Sequence, residues 1–218
     1  MDAELLQIPL REVLHFLGWR GTPVDAPLLA QIRDLCDLAV REVRPRMAER
    51  RFPLAPDGSL AGTSMTPKGN DVRAMLAPCR EAVLLAATLG AESERLLLRM
   101  QAKDAAQALL LDAVLSAAIE AVLDAREEAM RRELAAQGRY LTDRFSPGYG
   151  DMPLAQTREI CEVLGAQRAI GLTVSAGGVM IPRKSVTAIL GISDVPVARR
   201  PAGCEGCAAR ETCALRRR

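Results

Sequence analysis

The most informative segment of the chain covers residues 172–192 and reads LTVSAGGVMIPRKSVTAILGI. Its SAGG segment, residues 175–178, has the backbone freedom that a tight hairpin turn needs. Pro182 then stands where a new strand would begin, as a strand-limiting proline does. From Ser185 onward, one set of apolar residues alternates with a more polar set, which is the two-residue period of a strand. The sequence therefore predicts strand, tight turn, strand and a further strand over residues 170–192.

Helical patterns dominate the chain before this stretch. Apolar residues recur at helical spacing from about Leu10 and again over residues 27–43. Residues 92–137 are rich in Glu, Leu, Arg, Ala and Gln and contain no Pro or Gly, so they predict one long helix. The other predicted elements are loops or short strands over 52–70 and a helix over 155–164. The apolar run over 80–90 fits a buried strand or a buried helix turn, and we favour the strand. The predicted fold class is α+β, a twisted antiparallel sheet with long helices.

The composition is that of a globular protein with a core of Leu, Ala, Val and Ile. The 218 residues are 49% hydrophobic but only 3% aromatic, and the formal net charge of +2 is too balanced for a nucleic-acid-binding protein. No uncharged apolar run reaches the length of a membrane span, and the opening residues lack the features of a secretory signal. We therefore expect a cytosolic protein with no nucleic-acid or membrane partner. Its predicted regions are an α+β domain over residues 1–194 and a Cys-rich basic tail over residues 195–218.

One loop combines residue types that suit a small zwitterion. It reads RFSPGYGD over residues 144–151. The planar guanidinium of Arg144 matches the two oxygens of a carboxylate, and the two glycines let the backbone approach a ligand closely. Tyr149 adds an aromatic ring with a polar tip. The alternative is a Pro-Gly turn in which Arg144 and Tyr149 are incidental.

A polar stripe interrupts the apolar middle of the predicted long helix. Its members recur at every fourth position, and they are Asp112, Ser116, Glu120 and Asp124. Residues at this spacing lie on one face of a helix. Because a helix that is apolar around most of its circumference is usually buried, the stripe either touches solvent or lines a polar site.

In this order, the loop and the 172–192 stretch resemble the activation domain of cobalamin-dependent methionine synthase. They are still more similar to the shorter stand-alone proteins related to that domain. The family's Arg-x-x-Pro-Gly-Tyr signature is matched by Arg144, Pro147, Gly148 and Tyr149. Its Leu-Thr-x-Ser, Met-x-Pro and Ser-Val-Ser/Thr elements are matched over residues 172–175, 180–182 and 185–187. The resemblance covers about residues 140–192.

This resemblance implies that the chain binds S-adenosylmethionine. Arg144 would hold the methionyl carboxylate, and the backbone around Ser146 and Gly148, together with Tyr149, would complete the site. Glu120 is the acidic residue that we expect near the cationic amine or sulfonium, because opposite charges attract. No catalytic residue is expected, since the cofactor carries the chemistry and the protein supplies binding and orientation.

The resemblance also implies partners for the chain. The sequence has no recognisable cobalamin-binding or homocysteine-binding region, so the cobalamin is expected on another protein. The expected function is that of an activation subunit, which supports reductive remethylation of cob(II)alamin on a separate corrinoid methyltransferase. That partner is most simply a methionine synthase that lacks its own activation domain, and an electron donor would be a second partner. The chain departs from the full-length enzyme in having no aromatic residue after Tyr149.

Three of the six cysteines crowd into the tail with the spacing Cys-x2-Cys-x5-Cys. Closely spaced thiolates suit an iron–sulfur cluster or zinc, and a closed tetrahedral site needs a fourth ligand. The predicted metal ligands are Cys204, Cys207, Cys213 and Cys79. The alternative is a basic end with ordinary free thiols.

Two rival functions remain open: an iron–sulfur or zinc protein that carries electrons or docks on a corrinoid protein, and an interaction module that binds neither ligand nor metal.

Overall fold

The computed structural model describes residues 6–19 and 23–197, which form seven helices and six strands. The helices are α1 (Leu10–Phe16), α2 (Ala26–Glu42), α3 (Asn70–Leu76), α4 (Ala91–Gln101), α5 (Ala105–Ala135), α6 (Gln156–Leu164) and α7 (Ala166–Ile170). The strands are β1 (Arg46–Pro53), β2 (Cys79–Thr88), β3 (Tyr140–Leu141), β4 (Thr173–Val174), β5 (Met180–Ile181) and β6 (Ser185–Ser193). Helices α1, α2 and α6 and strand β2 lie where the sequence predicts them.

Four strands form one sheet in the order β1-β2-β6-β3. β1 and β2 are antiparallel, because Arg44 N bonds to Leu89 O near one end and Leu54 N bonds to Arg80 O near the other. The pairing of β3 with β6 is also antiparallel. β6 is an inner strand, and every one of its residues except Val186 is buried. The α+β class with an antiparallel sheet and long helices is therefore confirmed.

Strands β4 and β5 form the predicted hairpin. Val174 pairs with Met180 in antiparallel register, and Ser175 N bonds to Val179 O at 2.8 Å across the turn. Strand β6 follows, so the order of strand, turn, strand and strand is confirmed. The predicted start at residue 170 is wrong, because Ile170 is the buried last residue of α7.

The single helix predicted over residues 92–137 is wrong, because the structure has two helices there. α4 ends at Gln101 and α5 begins four residues later. The carboxylate of Asp104 accepts hydrogen bonds from Ala106 N at 2.9 Å and Gln107 N at 3.1 Å. These bonds satisfy donors that the start of a helix leaves unpaired, so Asp104 begins a new helix within a helix-forming composition.

α5 is the one helix of the described chain that is long and apolar enough to cross a membrane. However, 56% of its most apolar 18-residue window is buried inside the protein. Leu111, Leu115 and Leu123 are among its fully buried side chains. This burial is what a helix in a protein core shows.

Strands β1 and β3 have no counterpart in the sequence prediction. β1 reads RMAERRFP, and only Phe52 in it is buried. It lies at the edge of the sheet, where charged side chains protect the unpaired strand edge from association with other chains. An edge strand of this kind carries no alternating apolar pattern. β3 has only two residues, which is too short for any pattern.

The chain divides into two compact units, and each includes part of α5. The first unit consists of Met1–Met47, Ala87–Arg126 and Ala166–Val186, and the second consists of Ala48–Ala86, Glu127–Gly165 and Thr187–Arg218. Among the buried side chains are Ile32, Leu89 and Leu115 in the first unit and Leu84, Phe145 and Met152 in the second. The predicted boundary between a domain and a tail at residue 195 stays a prediction.

Candidate functional site

The Arg144 loop, which we define as residues 144–152, begins on the sheet of the second unit. Phe145 is buried and exchanges two backbone hydrogen bonds of 2.8 Å with Ile189 of β6. Farther along, Gly148 N bonds to Met152 O at 2.9 Å and closes a tight turn. The isolated bridge between Phe145 and Ile189 therefore ties the start of the loop to strand β6 and fixes the backbone next to Arg144.

Two glycines allow the loop to turn this tightly. Gly148 has a φ of +91° and Gly150 a φ of +52°, in a region that residues with a Cβ rarely adopt. A Cβ at Gly150 would lie 2.2 Å from Asp71 Oδ2, and one at Gly148 would lie 3.3 Å from Leu154 Cδ1. Both the backbone conformation and the close neighbours therefore favour glycine here.

Asp151 anchors the loop to the start of α3. Its carboxylate accepts hydrogen bonds from Asn70 N at 2.6 Å and Asp71 N at 3.1 Å. These backbone donors favour the ionised form and lower the pKa of Asp151. Sequence reasoning included Asp151 in the loop but missed this role, because its partners lie about 80 positions earlier in the chain.

The segment after the loop is tied to the same region. Gln156, the first residue of α6, is fully buried. Its Oε1 accepts a hydrogen bond from Lys68 N at 2.7 Å, and its Nε2 donates to Thr66 O at 3.0 Å. Lys68 Nζ also lies 3.0 Å from Glu159 Oε1. These contacts support the loop from its C-terminal side, and no local sequence pattern indicates them.

The guanidinium of Arg144 is bound by Glu127 in the last third of α5. Arg144 Nη1 donates to Glu127 Oε2 at 2.8 Å, and Glu127 Oε1 accepts from Arg131 Nη2 at 2.5 Å. The side chains of Glu127 and Arg144 are 13% and 23% exposed, so this ion pair is largely shielded from solvent. Sequence reasoning missed Glu127. The signal available was its i, i+4 spacing to Arg131 on a predicted helix.

The other ligand contacts predicted in the loop differ in exposure. Ser146 is half-buried, Gly148 is exposed and the Tyr149 side chain is 70% exposed. Leu154, which borders Gly148, is also largely exposed. The structure thus brings Arg144, Ser146, Gly148 and Tyr149 into one loop of the second unit, and their contact with a ligand stays a prediction.

Glu120 lies in the first unit, half-buried on the polar stripe of α5. Two other members of that stripe bind Lys184, whose Nζ lies 2.9 Å from Asp112 Oδ1, 3.0 Å from Asp112 O and 2.8 Å from Ser116 Oγ. Three oxygens match the three N–H donors of an ammonium group. The first half of the stripe therefore binds a lysine of its own chain. A role of Glu120 toward a ligand stays a prediction.

Three of the four predicted metal ligands, Cys204, Cys207 and Cys213, lie outside the described residues. Cys79 is half-buried, and burial raises the pKa of its thiol to about 11. Within residues 6–19 and 23–197, no three His, Cys, Asp or Glu side chains are grouped so that they could hold a metal ion. The metal site stays a prediction, and metal analysis of the purified chain with and without residues 198–218 would test it.

The antiparallel sheet, the long core helix and the Arg144 loop, which is bridged to inner strand β6 through Phe145, together make an α+β fold. The same fold occurs in a solved structure described as the MetH reactivation domain bound to AdoHcy. The two chains superpose with a TM-score of 0.67 at 17% sequence identity, over 91% of this chain and 78% of that one. No family model matches the sequence, and no curated protein matches it. The fold that the resemblance implied is therefore confirmed.

Proposed function

We propose that this chain binds S-adenosylmethionine and serves as an activation subunit for a corrinoid methyltransferase. The observation that carries the proposal is the Arg144 loop, an arginine-bearing turn braced by the sheet and α3, in a fold shared with a domain bound to AdoHcy. A braced loop suits binding because the ordering of the site is completed before the ligand arrives.

The proposed contacts follow from the chemistry of the ligand. The guanidinium of Arg144 binds the methionyl carboxylate, because its planar fork matches two carboxylate oxygens. The backbone around Ser146 and Gly148 approaches the ligand closely, since Gly148 has no Cβ. The exposed ring of Tyr149 offers an apolar face with a polar tip, and Glu120 supplies negative charge for the amine or sulfonium.

The proposed reaction takes place on a partner protein. An electron donor reduces the cob(II)alamin of a methionine synthase or another corrinoid protein by one electron to cob(I)alamin. Bound S-adenosylmethionine then transfers its methyl group to the cobalt and leaves as S-adenosylhomocysteine. The residues of this chain bind the methyl donor and orient it, which lowers the entropic part of the barrier. A role in methionine biosynthesis through reactivation of an oxidised corrinoid enzyme follows from this proposal.

Isothermal titration of S-adenosylmethionine into the full chain tests the binding step. We expect saturable binding by the wild type and a loss of about 100-fold in affinity for Arg144→Ala, as expected for a charged hydrogen-bonded contact. Arg132→Ala is the matched control, because the Arg132 side chain is 69% exposed and pairs with Glu128 at 3.5 Å in a surface ion pair. An absence of binding by the wild type would overturn the proposal.

A reactivation assay tests the partner. Methionine synthase without its own activation domain is loaded with cob(II)alamin, and methyl transfer is followed anaerobically with S-adenosylmethionine and a reductant. We expect remethylation only when this chain is added, with Arg132→Ala active and Arg144→Ala inactive. Saturable binding without remethylation would support S-adenosylmethionine as the ligand but would refute methionine synthase as the partner.

A further inference from the structure

We propose that Glu127 is a positioning residue that holds the Arg144 guanidinium in the orientation needed for a ligand carboxylate. The inference rests on the proposed function and extends it to a residue outside the Arg144 loop. Glu127 acts through Arg144 and is not expected to touch the ligand itself.

The geometry shows one carboxylate shared between two guanidinium groups. Glu127 Oε2 accepts from Arg144 Nη1 at 2.8 Å, and Glu127 Oε1 accepts from Arg131 Nη2 at 2.5 Å. Each oxygen therefore serves one arginine, and both contacts have the short distances typical of charge-assisted hydrogen bonds. Because both oxygens have a partner, rotation of the Glu127 carboxylate would break a contact on each side.

Arg131 is itself fixed by the chain that leads into the loop. Its Nη1 donates to Leu141 O at 2.5 Å, and its Nη2 lies 3.1 Å from Thr142 O and 2.8 Å from Asp143 Oδ1. The helix and residues 141–143 are thus joined by one guanidinium. Glu127 contacts both Arg131 and Arg144. The position of α5 therefore restricts the orientation of the Arg144 guanidinium.

Burial makes these contacts effective. The side chains of Arg131, Glu127 and Asp143 are 16%, 13% and 23% exposed. Interactions between charges strengthen when water is excluded, whereas exposed ion pairs contribute little. Fixing a flexible arginine in advance reduces the entropy that binding must otherwise remove.

The chain contains a matched control beside Glu127. Glu128 also lies on α5 and also pairs with an arginine four residues later, Arg132, at 3.5 Å. The Glu128 side chain is 58% exposed, and its partner is not part of the Arg144 loop. Glu128→Ala therefore removes the same charge from the same helix without affecting Arg144.

The test compares two ligands that differ only in the carboxylate: S-adenosylmethionine and its decarboxylated form. By isothermal titration we expect Glu127→Ala to bind S-adenosylmethionine about tenfold more weakly and the decarboxylated form within about twofold of the wild type. Glu127→Gln, which keeps one oxygen acceptor, should recover part of the loss. Glu128→Ala should bind both ligands as the wild type does.

Two outcomes would overturn the role of Glu127 alone. An equal loss for both ligands would show a merely structural effect, and unchanged or tighter S-adenosylmethionine binding would show that Glu127 does not orient Arg144. If Glu127→Ala does not fold, Glu127→Gln is tested in its place. It should then bind S-adenosylmethionine more weakly than the wild type and the decarboxylated form equally well. No binding by the wild type would instead overturn the proposed function, and this inference with it.

Discussion

The first half and the last third of α5 hold basic side chains in different ways. In the first half, Asp112 and Ser116 present three oxygens to the Lys184 ammonium at 2.8, 2.9 and 3.0 Å. In the last third, Glu127 presents one oxygen to Arg144 and the other to Arg131. The first arrangement matches the full donor set of an ammonium, whereas the second shares one carboxylate between two planar cations. We infer from these contacts that Lys184 stabilises the fold, whereas the shared Glu127 carboxylate orients Arg144.

The largest expected effect separates binding from stability at Arg144. Arg144→Ala should reduce S-adenosylmethionine affinity about 100-fold while the free energy of unfolding falls by only about 1–2 kcal/mol, because the Glu127 carboxylate keeps Arg131 as a partner. Titration and urea unfolding of the same preparation measure both quantities. If the variant lost stability in proportion to affinity, Arg144 would be a structural residue like Lys184.

The reverse pattern is expected at Lys184. Lys184→Ala removes the partner of Asp112 and Ser116 in a place where the lysine side chain is only 15% exposed. We expect a loss of about 2 kcal/mol in the free energy of unfolding, since the hydrogen bonds of the ammonium to Asp112 and Ser116 and the packing of the largely buried lysine stem are both lost. Urea unfolding measures it, with the exposed Lys103→Ala as the control. A loss no greater than that of the control would refute the structural role.

A smaller effect is expected from the tight turn of the Arg144 loop. Gly150→Ala should lower the free energy of unfolding by about 1–2 kcal/mol, because it combines a positive φ with a Cβ placed 2.2 Å from Asp71 Oδ2. Gly138→Ala is the matched control, since Gly138 has a φ of +68° but no atom within 4 Å of its added Cβ. The difference between the two unfolding free energies isolates the clash. Equal losses would mean that Asp71 moves aside freely.

The smallest effect concerns pH and the anchor of the loop. The pKa of Asp151 is lowered in the folded protein by the Asn70 and Asp71 N–H groups. A lowered carboxyl pKa stabilises the fold above the unfolded value of about 3.9, and this stabilisation is lost as pH falls through the folded pKa. Asp151→Asn should therefore have a lower free energy of unfolding than the wild type at pH 6. The difference between the two free energies should decrease toward pH 3. Urea unfolding across this pH range measures the difference. A difference that does not change with pH would contradict a lowered pKa of Asp151.

The outcome of the sequence prediction depends on how local each feature is. The hairpin of residues 173–181 and strand β2 were predicted because turn chemistry and apolar runs act over a few residues. The break before α5 was missed, since Asp104 differs from its helical surroundings only by the hydrogen bonds it accepts. Strand β1 was missed because an edge strand needs no apolar face.

The α+β class and the residues of the Arg144 loop could be predicted from the amino-acid sequence. These follow from local rules, namely the glycines, the proline and the order of the segments. By contrast, the acid that contacts Arg144 and the oxygens that contact Lys184 could be identified from the folded structure alone. Glu127 is 17 positions from Arg144, and Ser116 is 68 positions from Lys184. Several acidic residues could satisfy each cation, and the choice among them depends on which side chains packing brings within hydrogen-bond distance and shields from water.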